Sequence, residues 1–458
     1  MNNIILLFPE IFLGASACVA LLFGLFFRSI NIFILLSLVA TAYLLQYEVP
    51  NGYISAFDGL FKSNGLIKSL KLLLLTSSIL FVLIYQGQKF AKASALKLYE
   101  FQVLLLLGIT GMMLMLSSNN FISLYVSIEL QSFCLYVLAA FERDDVKSSE
   151  AGLKYFILGS FASGLLLFGI SLIYGFTGNL DFTQLQMLLA NNASGGLVIG
   201  VTMGIILVLI GLFFKVSAVP FHMWAPDVYQ GSPTIVTCLF ASVAKIASIG
   251  VILRLSIETL SAWKVELQPV LIVVTCASVL VGAIGALKQS NIKRLLAYSS
   301  IGHVGYMLLA VSAFAESFSV LSYLVIYISM TLAVFAIILN LTNEKGAIIN
   351  IEDLGGLSES NPWLAAALAI LMFSLAGIPP FAGFFAKFYV FQTAINAGFY
   401  VAVIISVIAA VIAAYYYLKI VKIMYLDKAI GRFSNHMKII NKAVIILLVA
   451  FNLFYMAL

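Results

Sequence analysis

Long apolar runs limit what this chain can fold into more than any other feature of its sequence. Runs of about 20 apolar residues, the length that crosses a hydrocarbon core of ~30 Å as a helix, recur from one end to the other. The runs are continuous and not alternating, which excludes a transmembrane β-barrel. Only 10% of the 458 residues are charged, too few to cover a soluble protein of this size. The sequence therefore predicts an all-α polytopic membrane protein.

A window of about 19 residues predicts about fourteen transmembrane spans. The first run has no basic flank and is long, so we expect a retained span and not a cleaved signal peptide. The predicted spans, numbered in chain order, are 4–27, 30–47, 68–86, 99–117, 121–141, 151–176, 197–219, 235–256, 268–287, 295–314, 318–341, 363–392, 398–425 and 441–458.

Basic residues concentrate in the odd-numbered loops between these spans, and the even-numbered loops hold little beyond Lys62, Lys68 and Lys264. The positive-inside rule then puts the odd loops in the cytoplasm and both termini on the outer side. The net charge of +6 therefore bears on orientation and not on nucleic acid. The basic residues of the odd loops are Arg28, Lys89, Lys92, Lys97, Arg143, Lys147, Lys288, Lys293, Arg294, Lys345, Lys428, Arg432 and Lys438.

Two spans carry helix breaks beside a lysine. In span seven Lys215 precedes Pro220, and in span twelve Lys387 follows the pair Pro379 and Pro380. Unwound backbone at membrane depth is tolerated only where it is buried in protein or lines a water-filled cavity. We therefore expect two discontinuous helices, each with an ionisable group at its break.

The two interrupted spans lie five apart, which is the arrangement of transporters built from inverted repeats with one broken helix each. Because five is odd, two such repeats must have opposite orientation. The predicted domains are three N-terminal helices (1–98), a first five-helix repeat (99–256), a second, inverted repeat (268–425) and a final helix (426–458).

Four ionisable residues lie well inside predicted spans: Glu129 in span five, Lys215 in span seven, Lys245 in span eight and Lys387 in span twelve. Each charge at mid-bilayer costs at least about 2.5–3.5 kcal/mol, and an ion pair kept only for packing is often no better than an apolar pair. A buried lysine gives up its proton readily, whereas a nearby carboxylate holds the proton on. The pairing of Glu129 with Lys215 is therefore predicted to act as a proton switch.

Two further residues leave their roles open. Lys154 lies nearer the cytoplasmic end of span six, where a lysine can serve as an interfacial anchor or take part in proton transfer. His303 lies in the middle of span ten, where it can relay protons or simply hydrogen-bond to a neighbouring Ser or Tyr.

Gly200 and Gly204, with Gly196, repeat at the GxxxG spacing that indicates close helix packing. Residues 179–192 are mildly amphipathic and fit a short interfacial helix or an ordered loop.

No redox or nucleotide site is predicted in this chain. Its four cysteines each lie alone in an apolar segment, without CxxC pairs or iron–sulfur spacing. Neither GxGxxG nor GxxxxGK[ST] follows a predicted strand. We therefore expect no cofactor and no metal here, and any redox chemistry must take place in another chain.

Three segments resemble the signature segments of the antiporter-like subunits of respiratory complex I, the proton-pumping NADH–quinone oxidoreductase. They are KVSAVPFHMWAPDVYQGSPT (215–234), NIKRLLAYSSIGHVGYMLLA (291–310) and SLAGIPPFAGFFAKF (374–388), and the resemblance extends over about 99–425. It implies a fourteen-helix fold with two inverted five-helix repeats. Proton-transfer roles are implied for a glutamate on helix five and for lysines on helices six, seven, eight and twelve, which are Glu129, Lys154, Lys215, Lys245 and Lys387.

The resemblance also implies a function in a larger assembly. The chain would be a proton-translocating subunit of a translocase in the bacterial inner membrane, beside antiporter-like subunit M and small membrane subunits, with FMN, iron–sulfur clusters and quinone in partner subunits. One alternative is a subunit of an Mrp-type cation/proton antiporter without redox activity. Another is a scaffold whose ion pairs only hold helices together, which the cost of several buried charges disfavours.

Overall fold

The computed structural model of the chain describes residues 2–26, 30–47, 49–50, 52–88, 95–191, 196–314, 317–343, 346–429, 433 and 437–457. Five of the basic residues used for orientation, Arg28, Lys89, Lys92, Lys345 and Arg432, lie outside these ranges, as does the side chain of Lys97. The orientation of the chain stays a prediction.

The described residues are almost entirely helical, as the continuous apolar runs predict. The α-helices, in chain order, are α1 (Asn2–Gly24), α2 (Asn31–Tyr47), α3 (Gly65–Gln86), α4 (Tyr99–Ser117), α5 (Phe121–Ala139), α6 (Val146–Thr177), α7 (Phe182–Asn191), α8 (Gly196–Val216), α9 (Trp224–Gly231), α10 (Thr234–Ala241), α11 (Val243–Arg254), α12 (Lys264–Ala286), α13 (Ile292–Ser312), α14 (Phe318–Asn340), α15 (Leu357–Ser360), α16 (Pro362–Ala376), α17 (Ala382–Asn396), α18 (Tyr400–Leu426) and α19 (Ile439–Phe454).

Within the described ranges, eleven helical segments are long and apolar enough to cross a membrane. One of them, Thr234–Thr259, contains α10, α11 and a turn of π-helix at Leu255–Thr259. Three more predicted spans are present as shorter apolar helices, namely α2, α16 and α19. The all-α polytopic fold is confirmed, while the count of fourteen crossings and the four-domain division stay predictions.

The structure contains both predicted helix breaks. Helix α8 ends at Val216 before α9 begins at Trp224, and α16 ends at Ala376 before α17 begins at Ala382. At the second break Gly377 caps α16 with a left-handed φ of 85°, a conformation in which a side chain would be strained. A Cβ on Gly377 would also lie 2.9 Å from Cδ of Lys387. Glycine therefore allows the lysine to approach the end of α16.

The chain forms two compact units. The first unit contains residues 1–82, 90–216 and 243–267, and the second contains residues 83–89, 217–242 and 268–458. In the first unit α1 packs on α4, α4 on α5, α5 on α6 and α6 on α8. It also contains an antiparallel hairpin of β1 (Ile54–Ala56) and β2 (Phe61–Ser63).

In the second unit α16 packs on α18, α14 packs on α17 and α19, and α13 packs on α9 and α17. A second antiparallel hairpin, of β3 (Thr342–Asn343) and β4 (Gly346–Ala347), follows α14. Helix α13 is buried along almost its whole length, so its polar residues face other protein groups and not lipid.

The amphipathic segment between spans six and seven is a helix in the structure. Helix α7 covers Phe182–Asn191, and residue 192 lies outside the described residues. The carboxylate of Asp181 accepts hydrogen bonds from the backbone N–H groups of Thr183 and Gln184. These bonds satisfy donors that the first turn of a helix leaves unpaired, which explains why this segment is a helix and not a loop.

Small residues let α6 and α8 approach closely, as the glycine spacing indicates. A Cβ on Gly204 would lie 2.8 Å from the carbonyl oxygen of Gly169, and a Cβ on Gly169 would lie 2.6 Å from that of Gly204. A Cβ on Gly200 would meet the ring of Phe176 at 2.2 Å. The packing interpretation of Gly200 and Gly204 is therefore confirmed.

This contact gives a stability prediction with an internal control. Gly169→Ala should destabilise the protein by about 1–3 kcal/mol because its Cβ collides with backbone that cannot rotate away. Gly164→Ala, on the same helix, should be neutral or stabilising by about 0.5–1 kcal/mol, because nothing described lies within 4 Å of a Cβ there. The measurement is the thermal unfolding midpoint of each purified variant in mild detergent. Equal midpoints for the two variants would contradict the prediction.

Candidate proton-transfer site

Lys215 lies in the last turn of α8, with its side chain buried against α5. Its Nζ donates hydrogen bonds to Ser132 Oγ at 2.6 Å and to Tyr136 OH at 3.3 Å. The same nitrogen lies 5.4 Å from the centre of the Tyr136 ring. Ser132 and Tyr136 are four residues apart and therefore share one face of α5. Neutral hydroxyls thus surround the amine on this side.

Glu129 lies on α5 one turn before Ser132, and its Oε1 accepts a hydrogen bond from Ser163 Oγ of α6. Among the described residues its carboxylate makes no direct ion pair with Lys215. Lys215 bonds to Ser132 and Tyr136 instead, and the proton switch that pairs Glu129 with Lys215 stays a prediction. Lys215 thus contacts the turn of α5 that contains Ser132 and Tyr136, and Glu129 bonds to Ser163 of α6.

Lys245 is the third residue of α11 and is 1% exposed. Its Nζ donates a hydrogen bond of 2.6 Å to the carbonyl oxygen of Val216, the last residue of α8. The last four carbonyls of a helix have no partner within it and carry partial negative charge. The break after α8 therefore makes the Val216 carbonyl an acceptor for Lys245. This carbonyl lies in the same turn of α8 that contains Lys215.

Lys387 shows the same arrangement in the second unit. It lies in the second turn of α17, and its Nζ donates to the carbonyl oxygens of Ala376 at 2.8 Å and Leu375 at 3.2 Å. These carbonyls belong to the last turn of the broken helix α16. The nitrogen also lies 5.3 Å from the centre of the Tyr306 ring. In each unit a broken helix thus presents its terminal carbonyls to a buried lysine.

His303 lies on α13 and is 3% exposed. Its Nδ1 is 2.7 Å from Tyr323 OH, and its Nε2 is 3.2 Å from Tyr417 OH. His303 and Lys387 line one small cavity within the second unit. The hydrogen bonds to tyrosine that the sequence allowed for are present. The cavity is also lined by a second ionisable group, Lys387. The relay role stays a prediction.

Lys154 has a more exposed environment. Its Nζ forms an ion pair of 2.7 Å with Glu150, one turn earlier on α6, and the lysine side chain is 43% exposed. An exposed ion pair at the start of a helix fits an anchor at the membrane surface. A role of Lys154 in proton transfer stays a prediction.

Sequence reasoning missed the hydroxyl residues that contact the predicted lysines and histidine. Ser132 and Tyr136 follow Glu129 by three and seven residues, which places them on the same face of α5 as Glu129. This spacing could have predicted that they line the site. Tyr323 lies on the next helix and Tyr417 lies 114 residues from His303, and no local pattern pointed to either. Their positions depend on tertiary packing.

The sequence reasoning also missed a buried ion pair in the N-terminal helices. Lys71 Nζ contacts Glu10 Oε1, and both side chains are at most 1% exposed. Ser117 Oγ donates to the same carboxylate at 3.1 Å. Both charges fall in predicted spans, so the cost of a charge in an apolar run was the signal that could have found them.

A polar cluster lies where the β1–β2 hairpin meets the end of α11. Lys62 Nζ and Arg254 each bond to Glu258 Oε2 at 2.9 Å, and Arg254 donates to the carbonyls of Leu116 and Ser118. Burial lowers the pKa of Lys62, and the Glu258 carboxylate acts in the opposite direction. The cluster ties the hairpin to α4 and α11.

In the ranges that the structure describes, no three His, Cys, Asp or Glu side chains group as metal ligands.

These features define a class of protein: a polytopic helical membrane protein that holds buried lysines at the ends of broken helices, the construction of ion transporters. Residues 118–413 match the family model described as NADH:quinone oxidoreductase/Mrp antiporter, transmembrane. The chain belongs to this family.

Close relatives refine this assignment. A protein of Parvibaculum lavamentivorans named NADH-quinone oxidoreductase subunit N is 44% identical, over 98% of this chain and 93% of its own length. A Rhodospirillum rubrum protein of the same name is 44% identical, over 92% of this chain and 87% of its own length. The chain is therefore an antiporter-like subunit of the complex I type, and it is similar to subunit N.

Solved structures share the fold. A chain of respiratory complex I from Thermus thermophilus superposes with a TM-score of 0.83 at 30% identity, covering 98% of this chain and 97% of that one. A chain of the Mrp complex from Dietzia sp. DQ12-45-1b superposes with a TM-score of 0.80 at 21% identity, covering 100% and 94%. At that identity the second likeness concerns the fold alone.

Proposed function

We propose that this chain is a proton-translocating membrane subunit of a bacterial NADH–quinone oxidoreductase, equivalent to subunit N. One observation carries the proposal: in each unit a buried lysine donates to the terminal carbonyls of a broken apolar helix. Buried lysines can exist in charged and neutral forms, and both forms can bond to these acceptors. The relatives named subunit N support the assignment to a redox-driven complex.

In the first unit the proton switch would involve three residues. When ionised, Glu129 stabilises a charged Lys215 through the polar face of α5, although the two do not touch. A change in the position of Glu129 weakens this stabilisation, and Lys215 then releases its proton. Lys245, which bonds to the end of the same helix, would take up the proton. In the second unit Lys387 and His303 would carry it onward to the outer side.

The energy for this movement would come from other subunits. Oxidation of NADH and reduction of quinone would occur on FMN, iron–sulfur clusters and quinone outside this chain. Its direct neighbours would be subunit M and the small membrane subunits. The chain would thus act as part of a translocase in the bacterial inner membrane, with both termini on the outer side.

Purification of the native assembly tests the proposal. The tagged chain is extracted from its own membranes in mild detergent, and NADH:quinone reductase activity is assayed along the purification. We expect the activity to follow the chain at a constant ratio. Recovery of the chain with small hydrophobic subunits and no dehydrogenase would instead support the Mrp-type antiporter.

A further inference from the structure

Ser299, on α13, borders two small cavities inside the second unit. One cavity is also lined by Lys387, His303 and Tyr417, and the other by Tyr327 and Thr331. Each leaves about 10 Å³ in which the centre of a water molecule fits. That volume is about the minimum that holds one water, and both walls offer polar partners for it. Ser299 is therefore the hydroxyl that the two cavities share.

A hydrogen-bond chain leads from Ser299 to the predicted relay histidine. Ser299 Oγ and Tyr417 OH are 2.5 Å apart, and Tyr417 OH is 3.2 Å from His303 Nε2. All three side chains are at most 4% exposed. A hydroxyl can donate and accept at once, and a neutral imidazole has one nitrogen of each kind. The chain can therefore pass a proton from end to end.

We propose that Ser299 and Tyr417 relay protons between the cavity at Tyr327 and Thr331 and the cavity that His303 shares with Lys387. The inference rests on the proposed function and adds two proton-carrying residues to it. Its residues all belong to the second unit, so the route needs no contact with the first.

The transfer balances without electrons or a co-reactant. An excess proton on water in the cavity at Tyr327 and Thr331 passes to Ser299, which passes its own proton to Tyr417 and leaves a neutral water behind. Tyr417 passes its own proton to His303 Nε2, so that each step breaks one O–H bond and forms one O–H or N–H bond. The imidazolium then gives up its Nε2 proton to water in its cavity and from there to a neutral Lys387 amine, so the imidazole returns to the tautomer that carries its proton on Nδ1. Rotation of the two hydroxyls restores the starting arrangement.

A hydrogen bond that only braces α13 against α18 would also hold Ser299 beside Tyr417. It would not account for a serine that borders both cavities, nor for a tyrosine hydroxyl that bonds to serine and histidine together. The test must therefore separate a hydroxyl that carries protons from one that only holds helices.

The experiment uses the whole complex reconstituted in liposomes, with NADH-driven proton pumping and electron transfer followed together. Ser299→Ala and Tyr417→Phe should each lower pumping by about ten-fold or more, because each removes a positioned proton carrier. Ser299→Thr keeps the hydroxyl and should restore pumping. The control is Ser312→Ala, because Ser312 is a fully buried serine of the same helix whose hydroxyl donates to the backbone carbonyl of Leu309. This variant should pump as wild type.

Replacement of Tyr417 by 3,5-difluorotyrosine separates relay from brace. The analogue keeps the hydroxyl and its hydrogen bonds but is a stronger acid. A relay must change its pumping rate with the acidity of the phenol, as general acid–base catalysis does, whereas a brace leaves the rate unchanged. An unchanged rate, or wild-type pumping by both Ser299→Ala and Tyr417→Phe, would overturn the relay.

The outcomes also distinguish this inference from the proposed function. If the wild-type complex shows no NADH-driven pumping, the proposed function fails and the relay with it. If the wild type pumps and Lys387→Met does not, while both hydroxyl variants pump normally, the relay alone is wrong.

Discussion

Lys245→Met should lower NADH-driven proton pumping by at least about ten-fold while the complex still assembles. Removal of a positioned proton donor or acceptor costs about 10²–10⁴-fold in a proton-transfer step, and Lys245 is the most deeply buried lysine of the site. Methionine fills similar space without a charge to bury. The measurement is proton uptake by inverted membrane vesicles at equal content of assembled complex.

Two further variants show whether the effect comes from proton exchange. Lys245→Arg keeps a positive charge but cannot give up its proton at any working pH, so pumping should fall as it does with methionine. Lys264→Met removes an exposed lysine from the start of α12 and should pump as wild type. Normal pumping by Lys245→Arg would mean that a fixed charge suffices, which contradicts the proposed role.

Lys387→Met should have the second large effect, again about ten-fold or more in pumping. Lys387 is the ionisable residue that the resemblance to the antiporter-like subunits implies on broken helix twelve, and this variant removes it. It also leaves the carbonyls of Leu375 and Ala376 without the bonds that Lys387 donates, which should cost about 1–3 kcal/mol in stability. Assembled complex must therefore be quantified beside the pumping rate.

The matched control for this variant is Lys422→Met. Lys422 lies on α18 in the same unit, and its side chain is 63% exposed beside Asp427. An exposed pair of this kind contributes little to stability, so we expect unchanged pumping and assembly. If Lys387→Met loses pumping only in proportion to lost complex, Lys387 is a structural residue.

The sequence was sufficient to predict what depends on local chemistry. Continuous apolar runs predicted the helical spans, prolines predicted the breaks after Val216 and Ala376, and the cost of a buried charge singled out Lys215, Lys245 and Lys387. What the lysines bond to was not predictable, because the acceptors are backbone carbonyls at helix ends. Such acceptors have no side-chain signature.

Contacts between distant helices explain what could not be predicted. Glu129 and Lys215 belong to the same site, but the position of Glu129 along α5 does not reveal which turn of that helix meets α8. Ser299 and Tyr417 lie more than a hundred residues apart and bond only after α13 and α18 pack. Both cases depend on helix rotation and tilt, which neighbouring helices determine.

The most direct test of proton translocation by this chain is the ratio of protons pumped to electrons transferred. It would be measured in liposomes containing the whole purified complex, with either the wild-type chain or the triple variant Lys215→Met, Lys245→Met and Lys387→Met. We predict a lower ratio for the triple variant, because electron transfer continues in other subunits while this chain moves no protons. An assembled triple variant that pumps with the wild-type ratio would contradict the proposal that these lysines carry protons.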